Sequence, residues 1–311
     1  MKLLNKMTKP IIAMTGGSGF IGQHMISALL SSGYTVRVLV RTKRKIEHLK
    51  HPKLEVLEGN LTDNGSALVS GSDVLLSFAG AVKGRSFSEL MKINCHFNST
   101  LASIANKEGV NRLVLLSSQV ACQPHLSSYA ISKLHGENAV KENFANKIAI
   151  IRAPAVFGPG DLATKPFFDF IEKGILPVAG GRNWRNRKTA MVFVSDLVKD
   201  LIDNAIPGNY DDKIVTPSTV KGVSWEDFAN CSRLALGKKI KIFPIPLSVL
   251  WLFAAMNSLS LRFFGIGHLS IGKLREFLYV DWSSEDIIKN PTPFTEALRI
   301  TSSYYQKEKN V

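Results

Sequence analysis

Short apolar runs alternate with stretches of helical period through the first half of the chain. Ile11–Thr15 is one such run; a glycine-rich turn follows, then a helical stretch to about Ser32, stopped by Gly33. Thr35–Val40, Leu54–Leu57, Asp73–Phe78, Arg112–Ser117 and Ile148–Arg152 continue the series. Continuous apolar runs predict strands covered on both faces, and the helical stretches between them predict right-handed crossovers into a parallel sheet. The expected class is α/β, a doubly wound parallel sheet. After about Gly158 the rhythm breaks, and Pro159, Gly160, Pro166, Pro177, Gly180 and Gly181 crowd the chain. Residues 1–159 are therefore assigned to the sheet domain and 160–311 to a smaller, partly interleaved substrate region.

Composition narrows this picture at a few points. With 45% hydrophobic and 21% charged residues over 311 positions, the chain suits an ordered globular protein of one large or two modest domains. Cys95, Cys122 and Cys231 lack ligand spacing, and the seven histidines are unpaired, so neither a disulfide framework nor a metal is expected. A reducing, cytoplasmic setting follows, and Met1–Lys9 has no apolar core that would make a signal peptide. The net charge of +14 suits an anionic membrane, an anionic ligand or nucleic acid. Finger spacing, aromatic-studded RNA-binding strands and basic zippers are all missing from the sequence, which argues against nucleic acid.

One later stretch, Leu247–Leu261, followed by Arg262, Phe263 and Phe264, is apolar but interrupted by Ser248, Asn257, Ser258 and Ser260. It falls short of the roughly 20 apolar residues of a spanning helix. It reads as a buried helix or a lid over an apolar pocket; the other reading is a peripheral membrane contact through residues 247–264. The four tryptophans read as packing or pocket lining.

The turn after the first strand reads Thr15-Gly16-Gly17-Ser18-Gly19-Phe20-Ile21-Gly22, with Gly16, Gly19 and Gly22 spaced G-x-x-G-x-x-G. The first glycine allows a tight turn, the second lets backbone approach a pyrophosphate, and the third brings helix and strand close. The free amides of the helix start, at Phe20 and Ile21, face the anion. The turn reads as the cofactor site of a Rossmann-type sheet, the other reading being a structural turn alone. A carboxylate that would bind a ribose 2′-hydroxyl belongs about 20 positions on. Val40 stands there, with Arg41, Lys43 and Arg44 next. Arg41 and Arg44 suit a 2′-phosphate, so NADP is expected ahead of NAD, unless the run is only a solvated turn.

Tyr129 and Lys133 lie four apart, on one face of a helix. Free Tyr titrates at about 10 and Lys at about 10.4, so a neighbouring ammonium is expected to lower the phenol toward the working range. Ser118 ends the fifth strand, where doubly wound sheets bind ligands, and can donate to a substrate carbonyl. Ser117 reads as a strand-end cap. Ser118 and Tyr129 are eleven positions apart, with a tight loop from Gln119 to Ser128.

The glycine turn, Ser118, Tyr129 and Lys133 together resemble the extended short-chain dehydrogenases/reductases, the NAD-dependent epimerase/dehydratase family. Gly59-Asn60-Leu61-Thr62-Asp63 resembles that family's adenine-flanking loop, with Asn60 where Asp is usual. Phe78-Ala79-Gly80 resembles its cofactor-packing segment, Asn94 its helix-start asparagine, and Arg152–Gly160, with Pro154 inside, its R-P-x-x-V-Y-G-P segment. Val192–Asp196 resembles its h-V-x-D entry. The resemblance implies Tyr129 as general acid/base, Lys133 as its tuner and ribose ligand, and Ser118 as the group orienting the substrate oxygen. It also implies a homodimer through the helices around 88–107 and 129–145. Ala155 and Thr189 replace the Asn and Arg expected of nucleotide-sugar epimerases, and Arg187 is offset by two positions. The sequence therefore reads first as an NAD(P)-dependent oxidoreductase of an apolar or mid-sized ketone or alcohol. A nucleotide-sugar epimerase or dehydratase is the alternative, and a non-catalytic dinucleotide-binding subunit a third.

Overall fold

The structure, a computed structural model, describes residues 9–181, 183–264 and 269–309. The reading of Met1–Lys9 thus falls, apart from Lys9, outside the described residues, as does His268. The first half builds β1 (Ile11–Thr15), α1 (Phe20–Ser31), β2 (Thr35–Val40), β3 (Leu54–Glu58), α2 (Leu61–Val69) and β4 (Val74–Ser77). It continues with α3 (Phe87–Met91), a π-turn at Lys92–His96, α4 (Phe97–Lys107), β5 (Arg112–Ser118), α5 (Ser128–Asn143) and β6 (Lys147–Ala153). The apolar runs are these strands, within a residue or two of the expected ends.

The second half supplies β7 (Ala155–Phe157), α6 (Lys165–Glu172), β8 (Ile175–Ala179), β9 (Lys188–Phe193), α7 (Val194–Asp200) and β10 (Lys213–Val215). Then come β11 (Val220–Ser224), α8 (Trp225–Leu236), β12 (Lys241–Ile245), α9 (Leu247–Phe264), α10 (Ile271–Leu278), β13 (Asp281–Trp282) and α11 (Phe294–Lys309).

The main sheet has seven strands in the order β10-β6-β5-β4-β1-β2-β3, all parallel. Strand order reverses between β1 and β4, and in such sheets the ligand crevice opens outside the strand ends at that point. One face is covered by the core around Ile12, Met25 and Val38, the other by Ala13, Leu75 and Leu113. The smaller region is interleaved with this sheet. Leu197, Leu201 and Ile206 join the core of Ile12, α7 packs on α1, and β10 pairs with β6. A four-stranded sheet (β11-β9-β13, with β7 on β9) and the β12–β8 pair frame a third core around Phe157, Phe168 and Phe193. Among the described residues no helix is long and apolar enough to cross a membrane.

Candidate active site

The glycine turn makes a cradle for an anion. Gly16 adopts φ +75°, and a Cβ there would lie 2.4 Å from the Phe78 carbonyl carbon, so only glycine lets β1 and the end of β4 come so close. A Cβ on Gly22 would meet the Gly16 oxygen at 2.1 Å, which fixes the approach of α1 to the turn. Gly19 meets nothing beyond the Gly16 oxygen, at 3.3 Å, and leaves its side of the cleft open. No side chain caps α1 and no acidic residue sits in its first turn. The amides of Phe20, Ile21 and Gly22 therefore face the cleft with the positive end of the helix dipole. This backbone fits a pyrophosphate.

One cleft of about 540 Å³ brings together Gly16, Gly19, Phe20, Ile21, Gly22, Phe78, Gly80, Asn94 and Pro154 with Ser118, Tyr129 and Lys133. Arg41, Arg44, Asn60, Leu61 and Ala79 do not line it. Arg41 and Arg44 are exposed just beyond β2. Asn60 caps α2 by accepting the Asp63 amide at 3.0 Å, and donates its own amide to the Asp63 carboxylate at 2.8 Å. Leu61 is buried, and the Ala79 amide donates to Thr15 Oγ1 at 3.4 Å.

Between β5 and α5 the chain makes two short 3-10 turns, and Ser127 then caps α5 by accepting the Ala130 amide at 2.9 Å. That start sets Tyr129 in the first turn and Lys133 one turn later on the same face. Ser118 lines the cleft beside the phenol. Lys133 is buried, and its ammonium donates to the Leu116 carbonyl at 2.8 Å. Burial brings Lys133 down to about 8, with the nearby Glu137 carboxylate pulling it back up. Tyr129 departs from the sequence expectation. Burial drives the phenol up to about 12; the Ser118 hydroxyl opposes this and Glu276 adds to it. Desolvation is the largest cause, so the neutral phenol is the form present at neutral pH.

A shell of buried polar groups holds this face. Asn94 accepts the Ala81 amide and donates to the Ala81 carbonyl and to Ser132 Oγ, each at 2.9 Å. It ties the loop after β4 to α5 at the edge of the cleft. Ser117 is not a strand-end cap: its hydroxyl donates to Glu137, which Arg152 also grips, at 2.7 Å through Nη2. Glu137 went unremarked in the sequence, although four residues after Lys133 is a readable helical spacing. Two other residues carry no local signal. Gln119 donates to the Trp282 carbonyl at 2.8 Å, and Glu276 accepts from Ser127 and pairs with Lys273 at 3.0 Å. Together they clamp the C-terminal segment over the loop that leads to Tyr129.

The far wall of the cleft is aromatic. Phe167 stacks on Trp225 with centroids 6.1 Å apart, and Phe228, Phe277 and Trp282 extend the surface. Ala155 and Thr189 are also on it. Arg187 turns onto the carbonyls of Ala179 and Gly180, at 2.6 and 3.1 Å. Trp184 and Trp282 are buried, but Trp251 is exposed, against the expectation for the tryptophans. It sits on α9, which is no buried helix: of its described side chains only Ala254 is buried.

Comparisons with known proteins agree with this architecture. The model of the NAD dependent epimerase/dehydratase family matches residues 12–199. A ceramide reductase of Caulobacter vibrioides is 30% identical over 282 residues, covering 88% of this chain and 86% of that protein. A 3 beta-hydroxysteroid dehydrogenase/Delta 5→4-isomerase of Mycobacterium tuberculosis is 31% identical over 117 residues, about a third of each chain. Among solved structures, the UDP-glucose 4-epimerase of Thermus thermophilus in complex with NAD superposes with a TM-score of 0.72. Its 17% identity, over 95% of this chain and 99% of that one, speaks to the fold alone. With the family model spanning more than half the chain and the glycine cradle facing Tyr129 and Lys133, the protein belongs to the NAD-dependent epimerase/dehydratase family and is a nicotinamide-dependent enzyme of the extended short-chain class.

Proposed function

We propose that this enzyme is an NADP(H)-dependent reductase of a long-chain, lipid-like ketone, using Ser118, Tyr129 and Lys133. A nicotinamide dinucleotide held at Gly16, Gly19 and Gly22 would supply the hydride for the carbonyl carbon. Ser118 donates to the carbonyl oxygen, and Tyr129 gives that oxygen its proton as the alcohol forms. Lys133 keeps a positive charge beside the phenolate that remains. The observation that carries the reading is that Ser118 and Tyr129, with the buried Lys133 one turn on, line a single cleft whose opposite wall is aromatic. The likeness to a ceramide reductase over most of the chain supports a substrate with long apolar tails. A UDP-sugar finds less here, because Arg187 is turned onto backbone carbonyls and Thr189 carries no charge.

The test is net NADPH consumption with a long-chain keto-lipid in detergent, against a UDP-sugar as control. Tyr129→Phe should lower kcat/KM by about a thousandfold with dinucleotide affinity nearly unchanged. Equal turnover in that variant would remove Tyr129 from the chemistry. We assign the 2′-phosphate to Arg41 and Arg44. Glu58, opposite Val40 in the sheet, has its carboxylate on the Lys43 amide. Arg41→Glu should weaken NADPH by about tenfold and NADH far less, as read by fluorescence titration. An unchanged ratio would dismiss the basic run. The same reading makes the enzyme a cytoplasmic homodimer through 88–107 and 129–145, which a monomer mass by sedimentation would refute.

A further inference from the structure

α9 inverts the usual arrangement of a surface helix. Val249, Leu252, Phe253, Met256 and Leu259 are all exposed, Leu252 by 65% and Met256 by 60%. Steps of three and four residues put them on one face, a stripe about 15 Å long at 1.5 Å per residue. Phe243, 60% exposed on the strand just before, adds to the apolar surface at this end. Single exposed apolar residues are ordinary; a continuous stripe marks a surface that meets something.

Charge identifies the occupant. Between Asp227 and Glu276 the chain carries seven Lys and Arg and not one Asp or Glu, and of the seven Lys238 and Lys273 pair with Glu172 and Glu276. Lys239, Lys241, Arg262 and Arg275 are exposed. A second copy docking through the same face would bring these cations against themselves, because a twofold interface sets like patches together. An anionic bilayer neutralises them. No described helix is long and apolar enough to cross a membrane, so the orientation left to α9 is in the plane of the interface.

We infer that α9 is a docking helix for an anionic phospholipid surface. It also sits behind the substrate cleft. The Ile271 amide at the start of α10 donates to Ser258 Oγ of α9 at 3.0 Å, and Lys273, Glu276 and Phe277 of α10 line the cleft. Docking therefore brings α10, which carries Phe277 of the cleft wall, toward the lipid phase, where a long-tailed ketone resides. That last step rests on the proposed reductase activity, while docking itself does not.

The full chain is sedimented with phosphatidylcholine vesicles prepared with and without phosphatidylglycerol. It should pellet with the anionic vesicles and stay largely in solution with the neutral ones. Leu252→Ser with Met256→Ser should lower binding by about tenfold, with turnover of a short, water-soluble ketone unchanged. Lys241→Glu with Arg262→Glu provides a second test that leaves the apolar stripe intact, and should also release the protein. Wild-type binding by both double variants, or no pelleting of the parent chain, overturns the inference. So does an α9-dependent dimer that ignores vesicles, which would assign the face to a second copy. Tyr129→Phe should pellet like the parent chain, so a failed reductase assignment and a failed docking assignment give different results.

Discussion

α5 and α9 break the rule of apolar inside and polar outside in opposite directions. α5 buries Ser132, Lys133 and Glu137, while α9 turns Leu252, Phe253 and Met256 to solvent. The first departure is partnered inside the protein. Lys133 donates to Leu116, and Glu137 is held by both Ser117 and Arg152, so part of the desolvation cost is offset by hydrogen bonding. Among the described residues the second has no such partners. A buried charge held by partners marks chemistry, and an exposed apolar stripe marks a surface still to be covered. Local rules fail where a molecule has work to do, and the direction of the failure tells which kind of work.

The sharpest way to break this contrast is at Glu137. Glu137→Ala strands the Arg152 charge and the Ser117 hydroxyl, and should cost about 3–5 kcal/mol in chemical denaturation. A loss below about 1 kcal/mol would mean that the polar row of α5 is dispensable. The pH profile comes next. Lys133 sits near 8 and Tyr129 near 12, so the phenol keeps its proton across the working range while the ammonium does not. Reductive kcat/KM should therefore fall as pH rises through about 8, by about tenfold per unit, because the charge beside the phenolate is lost. Glu137→Gln, which removes the carboxylate that supports the ammonium, should move that limb to lower pH; a profile flat to pH ~10 would show the Lys133 charge to be idle. The smallest effect belongs to α9. Leu252→Ser should leave the unfolding free energy within about 0.5 kcal/mol of the parent chain, as read by chemical denaturation, since the side chain is already solvated. A larger loss would show that α9 holds the fold together instead of facing a partner.

Much of the site was legible because its rules are local. The strand–turn–helix at 11–31 follows from an apolar run, three glycines and the helical period, and Tyr129 and Lys133 share a face because they are four apart. Ser117 and Ser118 are neighbours in the sequence with opposite fates. Alternation sends one hydroxyl into the protein to Glu137 and leaves the other at the cleft. Which face was which depended on what packs behind β5, and no periodicity reports that.

By itself the sequence determined the parallel sheet, the anion cradle and the helical row that carries Tyr129 and Lys133, since each rests on spacings of a few residues along one chain. Only the tertiary structure decided that residues 194–215 return to the first sheet, that Gln119 and Glu276 clamp the segment over Tyr129, and that the stripe of α9 faces outward. It also decided the sign of the Tyr129 shift. The reason is the same in each case: burial and desolvation are set by groups far apart in sequence, and a protonation state depends on the surrounding dielectric as much as on the nearest charge.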